Sequence, residues 1–551
     1  MSTALEAASL IMIPTSYSDG LLASVKPNDG AGDFTFSRGS NLSATRVNAD
    51  GNIEKGYENL LLQSNSFDTN PPWGSTSILF TSGQSGYDGS SDAWLIERAG
   101  VNGQIRQTPP LGNVLTFSIY AKANTLNWVR IRTASVQNAY FNLDPTFIGN
   151  RIGYTQNIID ATITDIGNGW FRCTATAIGY DRFLVYPAVD NQDTSGTSGS
   201  IYIQDAMLNQ GLAALPYVET TTASVAAGIL EDMPRIDFSG GNQSLLLEPS
   251  RTNLWVNSEY LSPTKDQNTG SSVIQNTTET LSPEGLYNAS KFSGVGNFWL
   301  WRDFIAVQNV TSTISCYVKA VTSGSNNTFR LSIAGQISAD LTATDEWQRF
   351  SYTALGAAQA TGLLRDSLGN DADLYIYGFQ AEQGSYPTSY IPTYGVSQTR
   401  LSEGASYSGF SSLIGQAEGT LFLDIENSSD GTEIFSLNRS IVNSIFLLGS
   451  GGVYRAFIYA DGTTISQVTS INVSDRIKIA IAYQSNNLAI YANGLQVYTN
   501  NTQTWTPNVA IDLINFNTGG YAASKGAVRY NQVSIIPIAL SDEACIELTT
   551  I

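Results

Sequence analysis

Histidine is absent from this 551-residue chain. That excludes Ser-His-Asp and Cys-His catalysis, and every His-ligated zinc, iron or copper site. Cysteine is nearly absent as well: Cys173, Cys316 and Cys545 lie far apart, without the spacing of a zinc site. They read as small core hydrophobes in a reduced protein. Charged residues make up only 14% of the chain, and their balance is −19. So acidic a chain is repelled by nucleic-acid phosphates and anionic membranes, and neither is expected as a partner. No apolar run reaches the ~18 residues of a membrane span. The opening MSTALEAASLIMIPTS has Glu6 and no basic residue ahead of its short apolar run, unlike a secretory signal. The chain is therefore expected to fold in a cytoplasm. Heptads are missing and helical periodicity is nearly so.

What is present is repetition. Residues 116–123 read TFSIYAKA and residues 313–320 read TISCYVKA. Each copy opens on an Asn-Leu phrase, at Asn59 and at Asn253. Each continues through Trp-x-Arg-x-x-x-Thr-Ala, starting at Trp170 and at Trp347. Each closes on Gln-Gly followed six residues later by Tyr, at Gly211 with Tyr217 and at Gly384 with Tyr390. The apolar positions alternate with period two, as in half-buried strands, and polar turns separate them. The fold class this implies is all-β, with tandem antiparallel β-sandwich or jelly-roll domains.

The chain divides accordingly into an N-terminal segment 1–57, a first repeat 58–222, a connector 223–250, a second repeat 251–394 and a different β domain 395–551. In the last, residues 488–497 alternate around Asn493-Gly494, a hairpin-turn signal, and Ser541 precedes Asp542 and Glu543 as the N-cap of a short helix.

The phrases AIAY (480–483), LAIYANG (488–494) and GAVRYNQVSIIPIALSDE (526–543) resemble a concanavalin A-like or laminin-G jelly roll. The repeats resemble carbohydrate-binding-module-like jelly rolls of tailed-bacteriophage virion appendages. The phrases that carry this likeness are FSRGS (36–40), ATRVN (44–48) and LLLEPSRTNL (245–254). The resemblance implies a non-enzymatic head fibre, tail fibre or capsid decoration protein, located in the virion and assembled in the host cytoplasm. It also implies a homo-oligomer, a trimer first, bound to other capsid or tail proteins through the N-terminal segment. No cofactor is expected beyond a structural Ca2+, for which oxygen-rich turns at Asp144, Asp371 and Asp373 are the candidates.

Sugars stack on aromatic rings, so tryptophans are the first site candidates. In Phe298-Trp299-Leu300-Trp301, alternation puts Trp299 and Trp301 on one strand face and Phe298 and Leu300 on the other. Trp73, Trp94 and the polar loop residues Asn517 and Tyr521 are further carbohydrate-binding candidates, whereas Trp170 and Trp347 recur in the repeats and read as architecture. No catalytic residue is nominated. Two other readings compete: a glycan depolymerase or glycoside hydrolase with accessory binding modules, which needs two opposed carboxylates, and a bacterial surface adhesin.

Overall fold

In a computed structural model, the structure describes residues 3–18, 20–39, 42–109, 113–134, 137–155, 157–179, 182–191, 195–261, 270–303, 309–356, 361–427, 432–440, 443–450, 453–460, 463–472, 476–502, 505, 507, 509–516 and 526–551. It is built almost wholly of antiparallel sheets, which pair into β-sandwiches with three large cores. No helix among the described residues is long and apolar enough to cross a membrane. The short C-terminal helix Asp542–Thr549 starts at Ser541, whose hydroxyl accepts the Ala544 N–H.

The repeats fold alike because the residues they share make the same bonds. The Asn59 amide donates to the Ala206 and Val218 carbonyls, and Asn253 donates to those of Phe379 and Ile391. The Thr116–Thr176 and Thr313–Thr353 hydroxyl pairs span adjacent strands at 2.8 and 2.7 Å. Arg172 reaches Ser118 over the Tyr120 ring, and Arg349 reaches Ser315 over the Tyr317 ring. Even the irregularity recurs. Val114–Ala123 and Thr311–Ala320 each meet their partner strand across a β-bulge, and Asp205 and Gly378 both take positive φ there.

The last sandwich departs from the expected linear order. One of its sheets runs Arg235–Asp237, Ser244–Leu247, Val528–Ile536, Gly419–Asn427, Arg476–Gln484, Asn487–Ala492 and Leu495–Asn500, and Leu10–Met12 also pairs with Val528–Ile536. The facing sheet starts with Tyr17–Ser18, Leu21–Leu22 and Phe34–Ser37 and continues through Gly404–Ser408. Parts of the segment 1–57 (Leu10–Met12, Tyr17–Ser18, Leu21–Leu22 and Phe34–Ser37) and of the connector 223–250 (Arg235–Asp237 and Ser244–Leu247) are thus strands of this sandwich. The reason is size. Strands of three or four residues cannot bury Leu10, Met12, Leu245 and Leu247 alone, and they do so against the edge of a longer strand.

Each repeat leaves this sandwich and returns to it through a two-stranded neck. Tyr57–Asn59 pairs with Val225–Ala227, and Arg251–Asn253 pairs with Gln398–Arg400. Above the second neck lies a buried charge knot. Arg38 meets Glu403 at 2.9 Å; Arg235 grips Glu403 and Glu248; Arg400 meets Glu248 at 2.9 Å. The side chains are at most 4% exposed. Burial disfavours the charge on Glu248, but Arg400 and Arg235 outweigh it and hold this carboxyl well below the usual range. The phrases FSRGS and LLLEPSRTNL supply Arg38 and Glu248, so part of what carries the virion likeness is interior architecture.

Candidate functional site

The outer face of one of the second repeat's two five-stranded sheets carries the exposed aromatic surface. Its strands run Trp299–Asp303, Thr361–Asp366, Thr328–Ile333 and Gln336–Ile337, and Leu341–Thr342 also pairs with Thr328–Ile333. Alternation sends Phe298, Leu300, Phe329, Leu331, Ile333 and Leu364 into the core with no exposure. The residues between them face outward. Trp299 is 40% exposed and Trp301 is half-buried. Trp299 lies opposite Arg365, and Arg365 lies opposite Arg330, so ring and guanidiniums form one row across three strands. Arg330 pairs with Asp340, and Arg365 Nη2 is 3.4 Å from Asp366. Arg365 Nε has no hydrogen-bond partner among the described residues. Ring faces beside guanidinium donors suit a polyhydroxylated, acidic ligand.

The first repeat fills the same place differently. Strand pairing aligns Gln104 and Arg106 with Trp299 and Trp301. Arg130 stacks on Tyr140 and Tyr186, 5.6 and 4.6 Å from the ring centroids, and both tyrosines are buried. Where the second repeat has Arg365, the first has the buried Tyr186 under Arg130, while Trp128 on the same strand face is half-buried.

The other aromatic candidates are not surface rings. Trp73 is 1% exposed, donates its indole N–H to the Gln63 carbonyl at 2.8 Å and packs edge-on against Phe67. Trp94 donates to the Asn65 carbonyl and packs against Phe67 and Phe80. Both are corrected to core residues, because each satisfies its polar atom indoors and offers no ring face to a sugar. Asn517 and Tyr521 lie outside the described residues. Trp170 is buried against Tyr87, while Trp347 is half-buried and donates to the Leu281 carbonyl.

The proposed calcium turns are self-satisfied. Asp144 accepts from Thr146, Asp371 from the Gly296 N–H and Asp373 from Ser293. Among the described residues no three acidic or thiol groups converge as a metal site. The three cysteines are free and buried.

Two features escaped the sequence. Arg365 and Arg330 meet Trp299 only through strand pairing, which no local pattern encodes. A cavity of about 580 Å³ also opens where both repeats meet the shared sandwich, lined by Ser43, Tyr57, Glu58, Gln210, Tyr394 and Gln398 among others.

No family model matches the sequence. No curated protein matches it either. Among solved structures, it is similar to the N-terminal CBM22-1–CBM22-2 tandem domain of Paenibacillus barcinonensis Xyn10C, at 9% identity and a TM-score of 0.20 over 63% of this chain and 99% of that one. It is similar to the LG1–3 region of the laminin α2 chain, at 10% identity and a TM-score of 0.19 over 80% and 96%. It is similar to domain 4 of AbnA, a GH43 arabinanase of Geobacillus stearothermophilus, at 14% identity and a TM-score of 0.22 over 27% and 73%. The sandwich architecture rests on the sheet order described above.

Proposed function

We propose that this chain is a non-enzymatic display protein whose second repeat binds glycans on the face built by Trp299, Trp301 and Arg365. The observation that carries the reading is the exposure of Trp299 on an outer sheet face, beside guanidiniums and over an intact core. The first repeat supports it by contrast, since the residue equivalent to Arg365 is there the buried Tyr186 under Arg130. The burial of Glu248, Glu259 and Glu403 in ion pairs takes these three carboxylates out of reach of a sugar, which supports a binding role at them over hydrolysis. Within that role, we place the protein in a tailed-phage particle as a fibre or decoration protein. The phrases quoted from residues 36–48 and 245–254 support this reading.

Two experiments test it. On an array of acidic and neutral glycans, the wild type is expected to bind acidic members. Trp299→Ala, Trp301→Ala and Arg365→Ala are each expected to weaken binding about 5- to 30-fold, because each stacking or charged contact contributes on the order of 1–2 kcal/mol. Equal binding by all four proteins sinks the platform. Mass spectrometry of purified particles tests the location, and absence of the chain from them removes the virion reading.

A further inference from the structure

Below the first neck, three charged side chains meet out of water. Lys55 Nζ lies 2.9 Å from Glu259 Oε1 and 2.7 Å from Glu284 Oε1, with side-chain exposures of 6%, 1% and 3%. Lys55 ends the hairpin strand Ile53–Lys55, while both glutamates belong to the second repeat. Tyr377, Tyr390 and Tyr394 surround them, with Lys55 Nζ 5.5 Å from the Tyr394 ring centroid.

We propose that Lys55 and Glu259 become joined by a side-chain amide, formed spontaneously in the folded chain with Glu284 as the proton carrier. The two carboxylates are not equivalent. Glu259 Oε1 accepts from Lys55 and also from the Tyr390 and Tyr394 hydroxyls, at 3.3 Å each, while Oε2 has no partner among the described residues. Two phenols aimed at one oxygen are what a tetrahedral oxyanion requires. The unpartnered oxygen is the one that can leave. Glu284 is fixed by Asn288, which donates to its Oε2 at 2.7 Å, and its Oε1 lies 2.7 Å from the amine without an aligned hydrogen bond. Burial raises Glu259 above the usual carboxylate range; Lys55 opposes this shift and Glu284 adds to it. That shift runs toward the neutral acid the step needs, while, against burial, Glu259 and Glu284 hold Lys55 toward the ammonium, so the proton must pass to Glu284 before attack.

The step balances. Glu284 takes one proton from the Lys55 ammonium, and the free amine attacks the Glu259 carboxyl carbon. The C–N bond forms, the C–Oε2 bond breaks, and the hydroxyl leaves as water with a proton from the attacking nitrogen. An ammonium, a carboxylic acid and a carboxylate become an amide, a water and a carboxylic acid, with no change in oxidation state. The product also removes an ion pair whose desolvation is costly. Tyr394 lines the 580 Å³ cavity, so the expelled water has polar space beside it. Proximity supplies the rate: both partners are held in contact for the lifetime of the fold. The bond would close a loop of 204 positions that contains the whole first repeat.

Intact mass spectrometry of the full chain, folded, aged and then denatured, tests this. The wild type is expected one water lighter than its sequence, with a proteolytic fragment linking Lys55 to Glu259. Lys55→Arg and Glu284→Gln are expected at full sequence mass. A folded wild type at full mass overturns the proposal, and so does a lost water that maps elsewhere. Neither reading depends on whether the variants fold.

Discussion

Asp205 stands at φ 53°, a conformation that L-residues other than Asn and Asp seldom adopt, in the bulge of the first repeat. It accepts the Tyr87 hydroxyl at 2.9 Å. Burial, with help from Asp92 and Asp88, pushes its carboxyl up to about 6, although the Tyr87 and Tyr217 hydroxyls pull it down. The unfolded chain ionises this group near pH 4. The folded form therefore binds more protons between about pH 4 and 6, and its stability falls as pH rises through that window. Asparagine tolerates the same φ and still accepts from Tyr87. Asp205→Asn is expected to stabilise the first repeat at pH 7 by on the order of 1 kcal/mol after allowance for solvent screening, and to flatten its pH dependence. Thermal melts at pH 4 and pH 7 check both. The repeat was legible at this scale because each recurring side chain has a fixed partner: Asn59 and Asn253 can be no other residue and still make two donations and two acceptances. Trp73 and Trp94 were misread for the opposite reason. A tryptophan in a turn or strand gives no local sign of which way its ring points.

Among elements, the two bulges show how one backbone shape accepts different side chains. Gly378 takes φ 64° where the first repeat has Asp205, and a Cβ there would lie 3.3 Å from both the Tyr317 and Tyr390 rings. Gly378→Ala is expected to destabilise the second repeat by about 1–2 kcal/mol, from the left-handed backbone alone. A denaturant titration that finds no change refutes this account. The strand Trp299–Asp303 was readable because its alternation is local. Its neighbours Arg365 and Arg330 were not, since register between distant strands is set by pairing and not by period.

For the molecule, the hidden fact was that the last sandwich is assembled from three stretches of chain. Leu10–Met12 pairs with Val528–Ile536, and three residues of strand carry too little pattern to announce a partner at the other end of the sequence. The charge knot of Arg38, Arg235, Arg400, Glu248 and Glu403 fastens these stretches. Arg235→Met leaves Glu403 and Glu248 without their shared cation, and is expected to cost about 3–5 kcal/mol, read as an earlier unfolding transition. Because Glu248 is held below its usual range, stability linked to it is present at neutral pH and is lost as pH falls below about 4. The paired necks, Tyr57–Asn59 with Val225–Ala227 and Arg251–Asn253 with Gln398–Arg400, bring the entry and exit of each repeat side by side. Such a base works as a socket: a whole cassette can be exchanged between two adjacent cut points, so new recognition surfaces can be grafted through recombination while the mounting stays unchanged.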